Sequence, residues 1–173
     1  MKVHCEGRCA VVTAGGSGIG QVIAKTLHEN GARVFICDIK DEYLSRFSAA
    51  YPSIGVFKAD VSNSHDVELL FKAAYSEMGN VDILVNNAGI AGPTKRIEEI
   101  SDSEWRRTIS VDLDSQFYCI RSAVPLMRAL GRGSIINISS TAGRLAFPLR
   151  LPYATAKRAI IGLTDTLAME LGP

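Results

Sequence analysis

Arg8-Cys9-Ala10-Val11-Val12-Thr13-Ala14-Gly15-Gly16-Ser17-Gly18-Ile19-Gly20 is the stretch that decides the fold. Residues 8–13 form a short apolar run with β-branched side chains, bounded by Gly7 and by the glycines that follow. That pattern reads as a buried strand. Residues 14–20 are a turn. From Gly18 to Asn30, the spacing of Ile19, Val22, Ile23 and Leu27 is helical, and Gly31 stands where a helix C-cap belongs. A glycine-rich turn between strand and helix lets the backbone pass close to a pyrophosphate. It also aims the free N–H groups of a helix start at the negative charge.

The same unit recurs downstream. Strand-like runs fall at 33–38, 55–60, 81–86 and 134–139, with helical spacing at 41–50, 62–78, 101–130 and 152–171. Most of the strands are apolar on both faces. Five alternations of this kind predict an α/β doubly wound parallel sheet, covered by helices on both sides, in one domain spanning 1–173. Ser101-Asp102-Ser103-Glu104 is a capping-box pattern that opens the long fourth helix. A single stripe of Trp105, Ile109, Leu113, Phe117, Ile120 and Val124 is expected along it. Pro125 is a place where it would bend.

Composition sets limits. Of 173 residues, 47% are hydrophobic and 21% charged, as in an ordinary globular domain with a sizeable core. Nineteen basic against eighteen acidic residues leave a net charge of +1, with no basic run, so nucleic acid is not expected as a partner. No apolar run approaches the roughly 18 residues that span a bilayer, and the first seven residues lack the apolar core of a signal peptide. A cytoplasmic location without membrane contact is expected. The four cysteines, at 5, 9, 37 and 119, read as small buried hydrophobes, and no metal site is expected.

Asp38 ends the second strand, 18 residues after Gly20. An acid there accepts hydrogen bonds from ribose hydroxyls and repels a 2′-phosphate, which favours NAD over NADP. Tyr153 and Lys157 are four apart, hence on one helical face. An ammonium beside a phenol favours proton loss from it and suits it to acid/base work.

Taken together these motifs resemble the short-chain dehydrogenase/reductase family. That family shows a T-G-x-x-x-G-x-G turn, here Thr13 to Gly20. An Asp-Val pair follows the third strand (Asp60-Val61), and N-N-A-G follows the fourth (Asn86-Asn87-Ala88-Gly89). A Ser lies thirteen residues before Y-x-x-x-K (Ser140, Tyr153, Lys157). The resemblance runs from about residue 7 to the end.

It implies a Rossmann-type fold with strand order 3-2-1-4-5 and an oxidoreductase that transfers hydride between NAD and a secondary alcohol or ketone. Ala14, Gly16, Ser17, Gly18, Ile19 and Gly20 would form the cofactor turn. Asp38 would take the adenosine ribose, and Asp60 with Val61 would border the adenine. Asn87, Ala88 and Gly89 would support the nicotinamide side. Tyr153 would be the general acid/base, Lys157 would hold the nicotinamide ribose, and Ser140 would bond the substrate oxygen. Relatives pair their long fourth helix and their Tyr-bearing helix across subunits, so a homodimer or homotetramer is expected. A 3-oxoacyl thioester reductase, or a nucleotide-binding module without catalysis, are the alternatives. Asp38 counts against the former, and the intact Ser140, Tyr153 and Lys157 count against the latter.

Three departures from the family pattern stand out. Ala14 replaces the first Gly of the turn; its methyl group restricts φ, so a right-handed or extended backbone is expected there. Asp112 replaces an Asn that in the family is thought to fix a water beside the Lys. As a catalytic-site acid it would accept hydrogen bonds from water or Lys157, favour the Lys157 ammonium and raise the kinetic pKa relative to Asp112→Asn. Finally, the chain stops at Glu170-Leu171-Gly172-Pro173, where a crossover helix should lead to further strands and a substrate lid. A fragment is expected, with an open edge at the fifth strand and weak or no dehydrogenase activity for residues 1–173 alone. Arg144 and Arg150 flank the Ser140–Tyr153 loop and read as solvated loop charges ahead of contacts to an acidic substrate.

Overall fold

Every residue of β1 (Cys9–Thr13) is buried, because this strand lies at the centre of the sheet. A computed structural model describes residues 4–172. Around β1 are β2 (Arg33–Asp38), β3 (Gly55–Lys58), β4 (Ile83–Asn86) and β5 (Ser134–Asn137), all parallel, in the order β3-β2-β1-β4-β5. The helices are α1 (Gly18–Glu29), α2 (Asp41–Ala50), α3 (Ser64–Met78), α4 (Asp102–Ile109), α5 (Ser115–Leu130) and α6 (Leu151–Leu171).

Successive side chains of β1 point to opposite faces and feed two cores. Cys9 and Val11 join Phe35, Val67, Leu70, Leu84, Cys119 and Ile120 on one face. Ala10 and Val12 join Ala24, Val34, Ile36, Leu44 and Phe47 on the other. This two-sided burial is why the strands read as continuous apolar runs. All four cysteines are free and buried. Burial pushes the Cys37 thiol up to about 12, so it behaves as an apolar side chain.

The expected order of strands is the observed one. The last three strands are shorter than the sequence pattern predicts: β3 ends at Lys58, β4 begins at Ile83 and β5 ends at Asn137. The third helix starts at Ser64, capped by Asn63, whose side chain accepts from the His65 N–H. Ser101 and Glu104 form the capping box that opens α4.

The long fourth helix is not one straight helix. Residues Ser110–Asp114 form a π-helical turn between α4 and α5. One extra residue in a turn rotates everything beyond it by about a hundred degrees, the angle one residue subtends at 3.6 per turn. The expected single stripe is therefore broken. Phe117 is 46% exposed; Ile120 and Val124 of that stripe still meet the core, joined there by Val111, Ser115, Gln116, Cys119, Ala123 and Met127.

Among the described residues β5 pairs with β4 alone, and Ile136 is exposed. A groove between β5 and α6 is lined by Met127, Ile135, Asn137, Thr164 and Leu167. Among the described residues no helix is long and apolar enough to cross a membrane.

Candidate active site

In an open parallel sheet, ligands bind beyond the carboxyl ends of the strands, where the winding direction reverses. Here that point lies between β1 and β4, and Thr13 stitches it together. Its hydroxyl accepts the N–H groups of Asn87 and Ala88, each at 3.0 Å, and donates to the Val85 carbonyl at 3.4 Å. Asn87 Nδ2 donates in turn to the Thr13 and Ala14 carbonyls, at 3.0 and 3.3 Å. The ends of the two strands thus hold each other and fix the turn that follows β1.

At two positions that turn has no room for a side chain. A Cβ on Gly16 would lie 2.9 Å from the Tyr43 Cβ and 3.1 Å from Asp38 Oδ2. A Cβ on Gly20 would lie 2.2 Å from the Ala14 carbonyl oxygen and 2.5 Å from Asn87 Nδ2. Gly18 has φ +54°. Ser17 precedes the first residue of α1 with extended backbone, and Ile19 is 69% exposed at the mouth of the turn. Ile19 and Val22 both point outward, so the apolar stripe expected along α1 is carried instead by Gly20, Ile23, Ala24 and Leu27.

Ala14 departs from the backbone expected of it. It sits at φ +49°, in the left-handed region rather than a right-handed or extended one. The hydrogen bonds from Asn87 to the carbonyls of residues 13 and 14 determine the turn, and the alanine accepts a strain of about 1–2 kcal/mol.

Asp38 is buried at the end of β2. Its Oδ2 accepts the Gly16 N–H and its Oδ1 the Lys40 N–H, both at 3.2 Å. A carboxylate has about four acceptor positions, so lone pairs remain for ribose hydroxyls. Asp60 follows β3. Burial pushes its carboxyl up, but the Ser62 hydroxyl and N–H and the Arg107 guanidinium together hold it below the usual carboxylate value. Val61, next in the chain, and Ala88 both belong to the core on one face of the sheet. A glycine cradle, a helix start and an acid at the end of β2 fit a nicotinamide dinucleotide in this chain.

Tyr153 and Lys157 stand on α6. The Lys157 Nζ lies 5.6 Å from the Tyr153 ring centroid and donates to the Ile138 carbonyl at 3.0 Å. Lys157 is only 4% exposed, and burial pulls its ammonium below the ordinary lysine value while the Asp112 charge opposes the shift. Ser139 Oγ donates to the Lys157 carbonyl at 2.7 Å, and a Cβ on Gly143 would lie 2.5 Å from that same carbonyl oxygen. Ser140 Oγ accepts the Ala142 N–H at 3.2 Å, capping the short turn Thr141–Gly143.

Asp112, in the π-helical turn, is fully buried. Its Oδ1 accepts the Ile90 N–H at 2.7 Å, and Oδ2 has no partner among the described residues. The partner of Asp112 is thus a backbone N–H, and Lys157 is not hydrogen-bonded to it. Burial raises its carboxyl above the usual range, against the pull of that N–H and of the Lys157 charge. Its charge does favour the Lys157 ammonium, as expected, but desolvation outweighs it.

Several contributors to the site leave little mark in the sequence. The Ile138 carbonyl and the Ile90 N–H are backbone groups, invisible in residue identities. Ser139 and Gly143 carried a usable signal, since small residues beside Ser140 are what a helix carbonyl needs to approach closely. Among the described residues there is no cluster of acidic, His or Cys side chains able to hold a metal ion.

Comparison with known proteins agrees with this geometry. Residues 8–173 match the family model for short chain dehydrogenase, and the chain belongs to that family. It is 38% identical over 164 residues to a 3beta-hydroxysteroid dehydrogenase of Mediterraneibacter gnavus, covering 92% of this chain and 59% of that protein. It is 36% identical to a 2-dehydro-3-deoxy-L-rhamnonate dehydrogenase (NAD(+)) of Sphingomonas sp., covering 95% of this chain and 66% of that one. The solved structure of levodione reductase superposes with a TM-score of 0.92 at 32% identity, covering 96% of this chain and 67% of the other. The chain thus spans about three fifths to two thirds of the length of these relatives.

Proposed function

We propose that the protein carrying this chain is an NAD-dependent oxidoreductase that interconverts a secondary alcohol and a ketone, with Tyr153 as general acid/base. The observation that carries this reading is the buried Lys157 ammonium, anchored on the Ile138 carbonyl and 5.6 Å from the Tyr153 ring. It stands on a sheet whose Gly-rich turn and Asp38 fit a dinucleotide.

The nicotinamide, when bound, supplies or accepts the hydride. The chain supplies the rest. In reduction Tyr153 gives its hydroxyl proton to the carbonyl oxygen, and in oxidation it takes that proton back. Ser140 donates to the same oxygen and stabilises the charge that develops there. Lys157 offers positive charge beside the ring and hydrogen bonds to the nicotinamide ribose. Gly16, Ser17, Gly18 and Ile19 hold the pyrophosphate, Gly20 keeps α1 close, and Asp38 accepts from the adenosine ribose. Asp60 and Val61 border the adenine, and Asn87, Ala88 and Gly89 form the floor. A homodimer or homotetramer through α4–α5 and α6 is part of this reading, with the exposed Phe117 ring beside the half-buried Tyr118 on that flank.

Fluorescence titration with NADH and NADPH tests the cofactor. A panel of alcohols and ketones, followed at the absorbance of reduced nicotinamide, tests the reaction. NADH is expected to bind more tightly than NADPH, and Tyr153→Phe is expected to abolish turnover while leaving NADH binding intact. Binding without turnover on any substrate would replace this reading with a nucleotide-binding module.

A further inference from the structure

We propose that Arg150 is a positioning residue for Tyr153: it locks the loop after β4 to the start of α6 and sets where the Tyr153 ring stands. This rests on the reading of Tyr153 as the acid/base. Arg150 Nη2 donates to the Ala91 carbonyl at 2.6 Å, and Nη1 to Thr94 Oγ1 at 3.1 Å. One residue earlier, the Leu149 carbonyl accepts the Lys95 N–H at 2.9 Å. Three hydrogen bonds therefore strap residues 91–95 to residues 149–150. The strapped loop begins two residues after Gly89, which lies against Lys157 Nζ. The strap thus joins the cofactor floor directly to the acid/base helix.

The guanidinium also meets the ring itself. Its central carbon lies 5.5 Å from the Tyr153 centroid and 5.9 Å from that of Phe147. Tyr153 stands between two cations, Arg150 three residues before it and Lys157 four after. A planar fork can reach two acceptors and lay its face on an aromatic ring at once; a lysine cannot. With both Nη nitrogens engaged by the protein, Arg150 is not the solvated loop charge its sequence position suggests.

The arrangement is maintained against two unfavourable features. Leu149 sits at φ +65°, a left-handed conformation for a bulky residue. Arg150 Nε is buried without an acceptor among the described residues. Strain and orphaned donors of this kind persist where surrounding structure over-determines them, and they gather at functional sites.

The experiment uses the whole protein that carries this chain, with NAD and its best alcohol. Arg150→Met is expected to lower kcat by roughly 10- to 100-fold, the effect of a misplacement near 1 Å, while KM for NAD and the Kd of NADH stay within about twofold. Arg150→Lys, which keeps the charge and loses the fork, is expected to recover only part of the loss. Thr94→Val, which removes one acceptor, is expected to give a smaller loss in kcat. Wild-type kcat in Arg150→Met overturns the proposal. So does full recovery in Arg150→Lys, which would assign the role to charge alone. A fall in kcat matched by equal losses in NADH affinity and melting temperature overturns it too, as a purely structural role. Tyr153→Phe, run alongside, separates the two levels: if it retains turnover, the reading of Tyr153 fails and this proposal with it; if it is dead, the Arg150 variants decide the proposal alone.

Discussion

Asp112 and Lys157 stand on either side of the missing side chain of Gly89. A Cβ there would lie 3.4 Å from Asp112 Oδ1 and 3.3 Å from Lys157 Nζ. Neither charged group has a full set of partners, and burial works against the charge on both. It holds the Asp112 carboxyl above its ordinary value and the Lys157 ammonium below its own.

The first prediction concerns Asp112. A carboxyl raised in the folded state favours folding when protonated; that contribution is complete below the ordinary carboxyl value and is lost as pH rises through the folded one. At neutral pH the buried carboxylate is therefore a net cost. Asp112→Asn is expected to stabilise the protein at pH 7–8 by about 1–3 kcal/mol, the scale of an unpaired buried polar group. The advantage should shrink as the pH is lowered towards 4, where the wild-type carboxyl takes up its proton. Urea unfolding at several pH values checks this, and an advantage that grows towards acid contradicts it.

The same substitution removes the charge that favours the Lys157 ammonium. The acid limb of the pH–rate profile is then expected to move to lower pH in Asp112→Asn than in the wild type. An unchanged profile would show that Asp112 has no electrostatic part in the reaction.

A second prediction follows from Ala14 at φ +49°. Ala14→Gly relieves a left-handed strain of about 1–2 kcal/mol, but it loosens the unfolded chain by roughly 0.4–1 kcal/mol. The balance is a gain of roughly 0–1.6 kcal/mol. A clear destabilisation in thermal unfolding would mean that the alanine methyl makes a packing contact worth more than the strain.

How far the sequence foretold these features depends on which atoms carry them. β1, its turn and α1 were legible because strand burial and turn glycines are properties of residue type. Tyr153 and Lys157 were legible as a pair because helical spacing alone puts them on one face. The register of α5 was not, because the π-helical turn at 110–114 has no signature in an apolar pattern read at 3.6 residues per turn. The conformation of Ala14 was not, because carbonyl contacts from Asn87 set it. The anchoring of Lys157 on the Ile138 carbonyl is a backbone event that no side-chain motif announces. Arg150 looked like a loop charge because its acceptors lie more than fifty residues earlier in the chain.

The third prediction contrasts two glycines of the turn. Gly20→Ala drives a Cβ to 2.2 Å from the Ala14 carbonyl oxygen and 2.5 Å from Asn87 Nδ2, so the tie between β1 and β4 must shift. NADH affinity is expected to fall by at least about tenfold, with a stability loss of about 1–3 kcal/mol. Gly18→Ala meets open space and bears only the backbone strain of φ +54°, about 1–2 kcal/mol. Equal cofactor binding by the two variants would contradict the crevice described above.

The last prediction concerns cofactor choice. Asp38 binds the Gly16 N–H through Oδ2 and the Lys40 N–H through Oδ1, so its carboxylate is fixed at the end of β2 rather than free to swing away. A fixed carboxylate rewards two ribose hydroxyls and repels a 2′-phosphate in the same place. Asp38→Ser keeps a short polar side chain and removes the charge. It is expected to weaken NADH binding, since both the ribose acceptor and the brace on Gly16 are lost, and to leave NADPH binding unchanged or stronger. The ratio of the two affinities should shift towards NADPH by at least about tenfold, or 1.4 kcal/mol. Fluorescence titration of both cofactors at one ionic strength measures it, because phosphate repulsion is screened by salt. If both affinities fall together, Asp38 acts only by bracing the turn, and any preference for NAD must come from another residue.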